Sequence, residues 1–331
     1  MRPRTAVIGV GSLGAQHARI HSELSVEGRS LFVGVCDIDE KMAGAVAALR
    51  GCEWTSDWQT FVGRVDAVSL AVPTELHCEI ACQLLEAGIH VLVEKPIARS
   101  LVEADQMIKV AGRSGALLQV GHLERFNPAM IALRPHVKAP LYFEIHRIGQ
   151  FTARSLDIDV VLDLMIHDLD IVQWLVGEDV DVTDVRAVGI PVLTGRVDAS
   201  NVRLEFATGA VANITASRIG TEKIRKMRFF QPHDYIAVDY TTRRATISSL
   251  VPPERMTTSG IHPGVTTRLL DIIDVEPLRA EIEAFLIAAE TGTPAPVSGG
   301  DGRRALEIAL RALERIREKA AAVQVKMPLS F

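Results

Sequence analysis

Thr5-Ala6-Val7-Ile8-Gly9-Val10-Gly11-Ser12-Leu13-Gly14 is the stretch that decides the fold. A short apolar run, long enough for one buried strand, breaks at a glycine. Gly9, Gly11 and Gly14 then follow the spacing of a dinucleotide fingerprint. Glycines so placed let the backbone approach a pyrophosphate, which meets N–H groups at the positive end of the next helix. Ser12 and Leu13 lie inside that turn, and Ala15 to Leu24 has the pattern of the helix. A second apolar run, Leu31 to Cys36, ends at Asp37, 23 residues after Gly14. A carboxylate there accepts hydrogen bonds from an adenosine ribose and repels a 2′-phosphate, so NAD is expected rather than NADP. Lys41 and Arg50 are the cations that could still serve a phosphate.

The same alternation continues outward. Val65 to Val72 reads as a strand stopped by Pro73, and Glu75 to Ala87 as a helix stopped by Gly88. His90 to Val93 is the next strand, Leu101 to Gly112 a helix, and Ala116 to Val120 a strand again. Strands with continuous apolar cores, separated by helices, predict an α/β Rossmann domain: a doubly wound parallel sheet covered on both faces. After about His122 the pattern changes. Asn201 to Ala207 alternates, with Val202, Leu204 and Phe206 on one face. Gly209 links it tightly to Ala210 to Ser217, and Met227 to Phe230 and Tyr235 to Asp239 extend the series. Short links predict a C-terminal α+β domain with a large, mostly antiparallel open sheet. Two late helices, Pro277 to Glu290 and Arg303 to Ala321, are assigned to it, the second opened by a capping box at Ser298 and Asp301. The expected domains are residues 1–122 for cofactor binding and 123–331 for substrate binding and oligomerisation.

Composition narrows the function. The 331 residues are 48% apolar and 23% charged, enough for two packed cores. A net charge of -5 argues against a general nucleic-acid binder. Cys36, Cys52, Cys78 and Cys82 form no CxxC pair, so they read as reduced thiols rather than a zinc site. No run approaches the ~18 apolar residues of a membrane span. A soluble cytoplasmic protein is expected.

Three further pieces carry chemistry. Pro73-Thr74, with His77 soon after, and Glu94-Lys95-Pro96 both follow strands at their carboxyl ends, the edge that faces the ligand crevice in a parallel sheet. They are therefore expected to line the nicotinamide half. A lysine at such an edge needs a function or a partner, either a role in chemistry or an ion pair with Glu94. Val160 to Val176 reads as a buried helix, on which Asp163, His167 and Asp170 share a stripe at i, i+4 and i+7. A neutral histidine there could take the proton from an alcohol while hydride leaves the same carbon. Asp163 could hydrogen-bond the substrate or Lys95. A metal bound by the three polar residues is the other reading of the stripe, although no metal is expected. Arg125, Arg147, Arg154 and Ser155 are candidates for an anionic substrate, or for plain ion pairs.

These residues resemble the Gfo/Idh/MocA oxidoreductase family along essentially the whole chain. The resemblance rests on the glycine fingerprint with His17 after it, Pro73-Thr74 with His77, Glu94-Lys95-Pro96, and Asp163 with His167. It implies that Lys95, Asp163 and His167 form the catalytic group and that the second domain's open sheet makes homodimers or homotetramers. Gly121-His122-Leu123-Glu124-Arg125-Phe126-Asn127-Pro128 and Val161-Leu162-Asp163-Leu164-Met165-Ile166-His167-Asp168 further resemble the UDP-N-acetylglucosamine 3-dehydrogenase branch. That narrower resemblance implies oxidation of a sugar 3-hydroxyl to a ketone, a partner aminotransferase, and a product for lipid A or surface polysaccharide. The sugar would pack in an interdomain cleft, with Lys95 or His167 as the base. Competing readings are a free-sugar or inositol dehydrogenase, a reductase running in the opposite direction, and a non-catalytic NAD-sensing regulator.

Overall fold

Strand β1 (Arg4–Ile8) lies inside a six-stranded sheet with β2 (Leu31–Cys36), β3 (Glu53–Thr55), β4 (Ala67–Leu70), β5 (His90–Glu94) and β6 (Leu118–Gly121). The order is β3-β2-β1-β4-β5-β6, and every pairing is parallel. The strand order therefore reverses beside β1, which is where such a sheet opens a crevice at its carboxyl edge. The computed structural model describes residues 2–150, 158–250 and 264–323.

The sheet is covered by α1 (Gly14–Val26), α2 (Glu40–Arg50), α3 (His77–Glu86) and α4 (Leu101–Ser114). Local chemistry sets their ends. Asp39 accepts from the N–H groups of Lys41 and Met42, and Ser100 from that of Glu103. Gly51 and Gly115 end α2 and α4 in the left-handed region. Val7, Val35, Phe32, Ala18, Ala43 and Ala47 pack one side of this core.

The chain divides into two units, residues 1–123 with 276–306, and 124–275 with 307–331. The first boundary falls beside the expected one, but the late helices do not belong wholly to the second unit. Helix α7 (Pro277–Thr291) sets Leu278, Ile282 and Phe285 against Ile20, Leu24 and Leu92 of the first unit. Its apolar period announces a buried face without saying which sheet that face covers. Helix α8 (Gly299–Val323) has its first turns in the first unit and the remainder in the second. Ser298 and Asp301 cap it reciprocally, as the sequence predicts: Asp301 Oδ2 accepts from the Ser298 N–H at 2.7 Å, and Ser298 Oγ accepts from the Asp301 N–H at 3.2 Å.

The second unit is built on the short helix α5 (Pro128–Leu133) and eight strands: β7 (Tyr142–Ile148), β8 (Val182–Ile190), β9 (Ala199–Phe206), β10 (Val211–Ser217), β11 (Ile224–Gln231), β12 (Asp234–Asp239), β13 (Arg244–Leu250) and β14 (Val265–Leu269). Their order is β14-β13-β12-β11-β7-β10-β9-β8. All neighbours are antiparallel except β7 and β10. One face, with Phe143, Leu204, Ile214 and Phe229, is fully buried with Met165 and Leu169 of the Val160 to Val176 segment and Ala309 of α8. Cys36, Cys78 and Cys82 are buried and Cys52 partly so, all as free thiols. Among the described residues no helix is long and apolar enough to cross a membrane.

Candidate active site

At the end of β1 the fingerprint turns as its glycines require. Gly9 has φ +83, and a Cβ there would lie 2.6 Å from the Ala71 carbonyl oxygen. A Cβ on Gly14 would lie 1.9 Å from the Gly9 oxygen, so only glycine lets α1 begin this close to β1. Gly11 is different: it is exposed, and a Cβ there would meet nothing within 4 Å. Helix α1 also starts without a side-chain cap and without an acidic residue in its first turn. An open glycine beside an uncapped helix start fits a pyrophosphate. Ser12 and Leu13 are exposed on the same turn.

Asp37 closes this end. Its Oδ2 accepts from the Val10 N–H at 2.7 Å and its Oδ1 from the Asp39 N–H at 3.0 Å. The carboxylate is thereby fixed at the tip of β2, half-buried, with lone pairs left for ribose hydroxyls. These residues fit the adenosine half of a dinucleotide.

The two loops expected for the nicotinamide half are tied together by His77. Its Nε2 lies 3.0 Å from the Val72 carbonyl oxygen and its Nδ1 lies 3.1 Å from that of Pro96. Burial outweighs these carbonyls and lowers the His77 pKa, and a neutral ring donates to one of them at a time. His77 is 1% exposed, so it braces the loops from beneath and is not itself open to a ligand. Pro73 is exposed and Thr74 half-buried.

Glu94 is also an internal brace. His17 Nε2 donates to Glu94 Oε1 at 2.9 Å, and the Lys95 N–H donates to Oε2 at 3.2 Å. Burial pushes the Glu94 carboxyl up, but His17 and the Lys95 charge outweigh it and hold it below its ordinary value. A Cβ on Gly121, the register partner of Glu94, would sit 3.0 Å from the Glu94 carboxyl carbon. Lys95 is half-buried at the strand end, and the Lys95–Pro96 peptide is cis.

In the second unit the expected helix is interrupted. Val161–Met165 is one π-helical stretch, followed by α6 (Ile166–Val176). The Ile166 N–H reaches back to the Val161 oxygen, five residues away, and such an insertion breaks the seven-residue repeat. The three-residue stripe is therefore not realised. Asp163 and His167 are half-buried, whereas Asp170 is 1% exposed and bound to Arg125. Arg125 Nε and Nη2 donate to the two Asp170 oxygens at 2.8 and 2.7 Å, and Nη1 donates to Glu178 at 3.1 Å. Its guanidinium also stacks over Trp174. Arg125 is thus an internal tie of the second unit, which corrects its reading as a substrate ligand. Arg147 is the same kind of residue: it holds both Asp168 oxygens, at 2.7 and 2.8 Å, and Glu124 at 2.9 Å. Burial disfavours its charge, but Asp168 and Glu124 outweigh burial and raise its pKa. Arg154 and Ser155 lie outside the described residues.

Sequence reasoning missed what holds the start of the π-helical stretch. Asp198 is fully buried and accepts from the N–H groups of Val192, Leu193 and Thr194 at 2.7, 2.7 and 2.8 Å. Next to it, Val197 accepts from the Val160 N–H and donates to Asp159 Oδ1, both at 2.8 Å. The only sequence signal was an aspartate after a turn-rich segment.

The chain matches the model of the GFO/IDH/MocA oxidoreductase family's NAD-binding Rossmann fold over residues 3–122 and that of the GFO/IDH/MocA C-terminal domain over residues 136–230. It is 38% identical over 313 residues to the UDP-N-acetylglucosamine 3-dehydrogenase of Acidithiobacillus ferrooxidans, covering 93% of this chain and 95% of that one. It is 29% identical over 334 residues to the inositol 2-dehydrogenase of Rhizobium meliloti, covering 96% and 98%. A solved structure of the Acidithiobacillus enzyme superposes with a TM-score of 0.87 at 36% identity, over 96% of this chain and 99% of that one. A levoglucosan dehydrogenase in complex with NADH and levoglucosan shares the fold, with a TM-score of 0.83 at 19% identity over 96% of this chain and 98% of that one.

Proposed function

The chain belongs to the GFO/IDH/MocA oxidoreductase family, and on that premise we propose that it oxidises the 3-hydroxyl of UDP-N-acetylglucosamine to a ketone. Its membership makes it a dehydrogenase acting on a CH–OH group. The observation that carries the substrate is the 38% identity, nearly end to end, with an enzyme named for that reaction. The cofactor proposed is NAD, because Asp37 puts a fixed negative charge where the phosphate of NADP would lie.

When bound, NAD would supply the acceptor for the hydride that leaves the alcohol carbon. The chain's own residues do the rest. Lys95, on a loop held by Glu94 and His77, orients the hydroxyl and stabilises the charge that develops on its oxygen. His167 accepts the hydroxyl proton, directly or through one water. Asp163 hydrogen-bonds the sugar. Gly9, Gly11 and Gly14 shape the pyrophosphate turn, and Thr74 borders the nicotinamide. The ketone would be consumed by a partner aminotransferase. We read the protein as cytoplasmic and as a homodimer or homotetramer; light scattering of the purified chain tests the assembly.

The test is mass spectrometry of UDP-N-acetylglucosamine after incubation with the enzyme, excess NAD and a carbonyl-trapping amine. The amine draws an unfavourable oxidation forward. A trapped 3-keto nucleotide sugar, missing with His167→Ala, is the expected result. Turnover of free sugars or inositols with no gain from the UDP group would replace this substrate.

A further inference from the structure

A line of polar side chains crosses the core of the first unit, where apolar ones would be cheaper. Ser69 of β4, Leu92 of β5 and Gln119 of β6 are register partners, and Glu94 lies two residues beyond Leu92. Helix α1 brings His21 Nε2 to within 2.9 Å of Ser69 Oγ, and His17 Nε2 to within 2.9 Å of Glu94 Oε1. From α7 comes Glu281, whose main-chain oxygen accepts from Gln119 Nε2 at 3.4 Å. The Glu281 side chain is fully buried. Among the described residues neither of its carboxyl oxygens has a hydrogen-bond partner.

A buried carboxyl without a partner gives up its charge by keeping its proton. Two carboxyls in one dry core cannot both ionise cheaply, and the one with donors wins. Glu94 has His17 and the Lys95 N–H; Glu281 has neither. Burial first, and the Glu94 charge second, push Glu281 well above the usual carboxylate range. The buried titratable groups on the elements packed against α7 are His17 and His21 on α1 and Glu94 at the end of β5, and of these Glu94 acts on Glu281. Ser69 and Gln119 do not titrate. His21 stays neutral, since burial and His17 lower it to about 3.

We propose that Glu281 is a positioning residue for Lys95, acting through Glu94. Neutral, it leaves Glu94 as the one carboxylate that fixes the loop. Loss of its proton in alkaline solution breaks the His17–Glu94 contact and displaces Lys95. The inference rests on the role proposed above for Lys95.

Two readouts test it on the full chain. The first is NMR of the His17 ring, assigned by its loss in His17→Gln, from about pH 6 to about pH 10. The wild-type signal is expected to show an alkaline inflection that is absent in Glu281→Gln and in Glu281→Leu. The second is kcat for NADH formation, whose alkaline limb moves to higher pH in Glu281→Gln with KM unmoved. A His17 signal that is flat in the wild type, or that titrates alike in wild type and either variant, overturns the proposal. If UDP-N-acetylglucosamine is not the substrate, the kcat readout falls silent and the ring signal still decides. Glu281→Leu keeps the test open should Glu281→Gln fail to fold, because it removes both unpartnered carboxyl oxygens.

Discussion

Two kinds of charged residue sit near the ends of the strands and helices described above, and their burial separates them. Arg125 and Arg147 are locked into bidentate pairs in the second unit, whereas Lys95, Asp163 and His167 are only half-buried. His167→Ala is expected to lower kcat by about 10²–10⁴-fold, the usual range for a lost general base, with NADH affinity by fluorescence unchanged. Unchanged turnover would remove His167 from the chemistry. Asp37→Asn should shift the kcat/KM ratio from NAD toward NADP by removing the negative charge. Because Asp37 also receives the Val10 and Asp39 N–H groups, the variant should also lose about 1 kcal/mol in urea unfolding. The sequence made Asp37, Lys95 and His167 legible because each ends or punctuates an apolar run. It could not show that Asp170 would face Arg125, since a π-helical insertion has no signature in the residue pattern.

Elements obey their local signals where those signals are self-contained. Leu31 to Cys36 was readable to the residue, and the Ser298 cap forms as its spacing demands. Ser298→Ala removes the acceptor of the Asp301 N–H and should cost about 1 kcal/mol, readable as a lower urea midpoint with unchanged slope. Gly14→Ala tests a tertiary demand. Its Cβ would overlap the Gly9 carbonyl, so α1 must move off β1, and NADH binding should fall below detection in calorimetry. Retained binding would show that the turn can relax. Elements that depend on distant partners were harder to read. Strand β7 lies between β10 and β11 in the sheet although it precedes both by more than sixty residues in the chain. Short links identify hairpins, and β7 has none to give it away.

For the molecule as a whole, buried histidines set the acid side of stability. His21 titrates at about 3 in the folded chain because burial, helped by His17, disfavours its charge. Unfolded, it takes up a proton near pH 6.5. Between those values the unfolded chain binds more protons, so stability falls as pH falls, by about 1.4 kcal/mol per unit for this group alone. His77, lowered by burial, acts in the same direction. Urea unfolding at pH 7 and pH 5 should show a smaller difference for His21→Gln than for the wild type. The overall division into two sheets was readable from the change in pattern after His122; the ownership of the late helices was not. That ownership bears on how the chain is made. The first unit cannot cover Ile20, Leu24 and Leu92 until α7 supplies Leu278, Ile282 and Phe285, more than 150 residues after the end of its first segment. On the ribosome, the nucleotide-binding half is therefore begun first and finished after the strands of the other half have emerged.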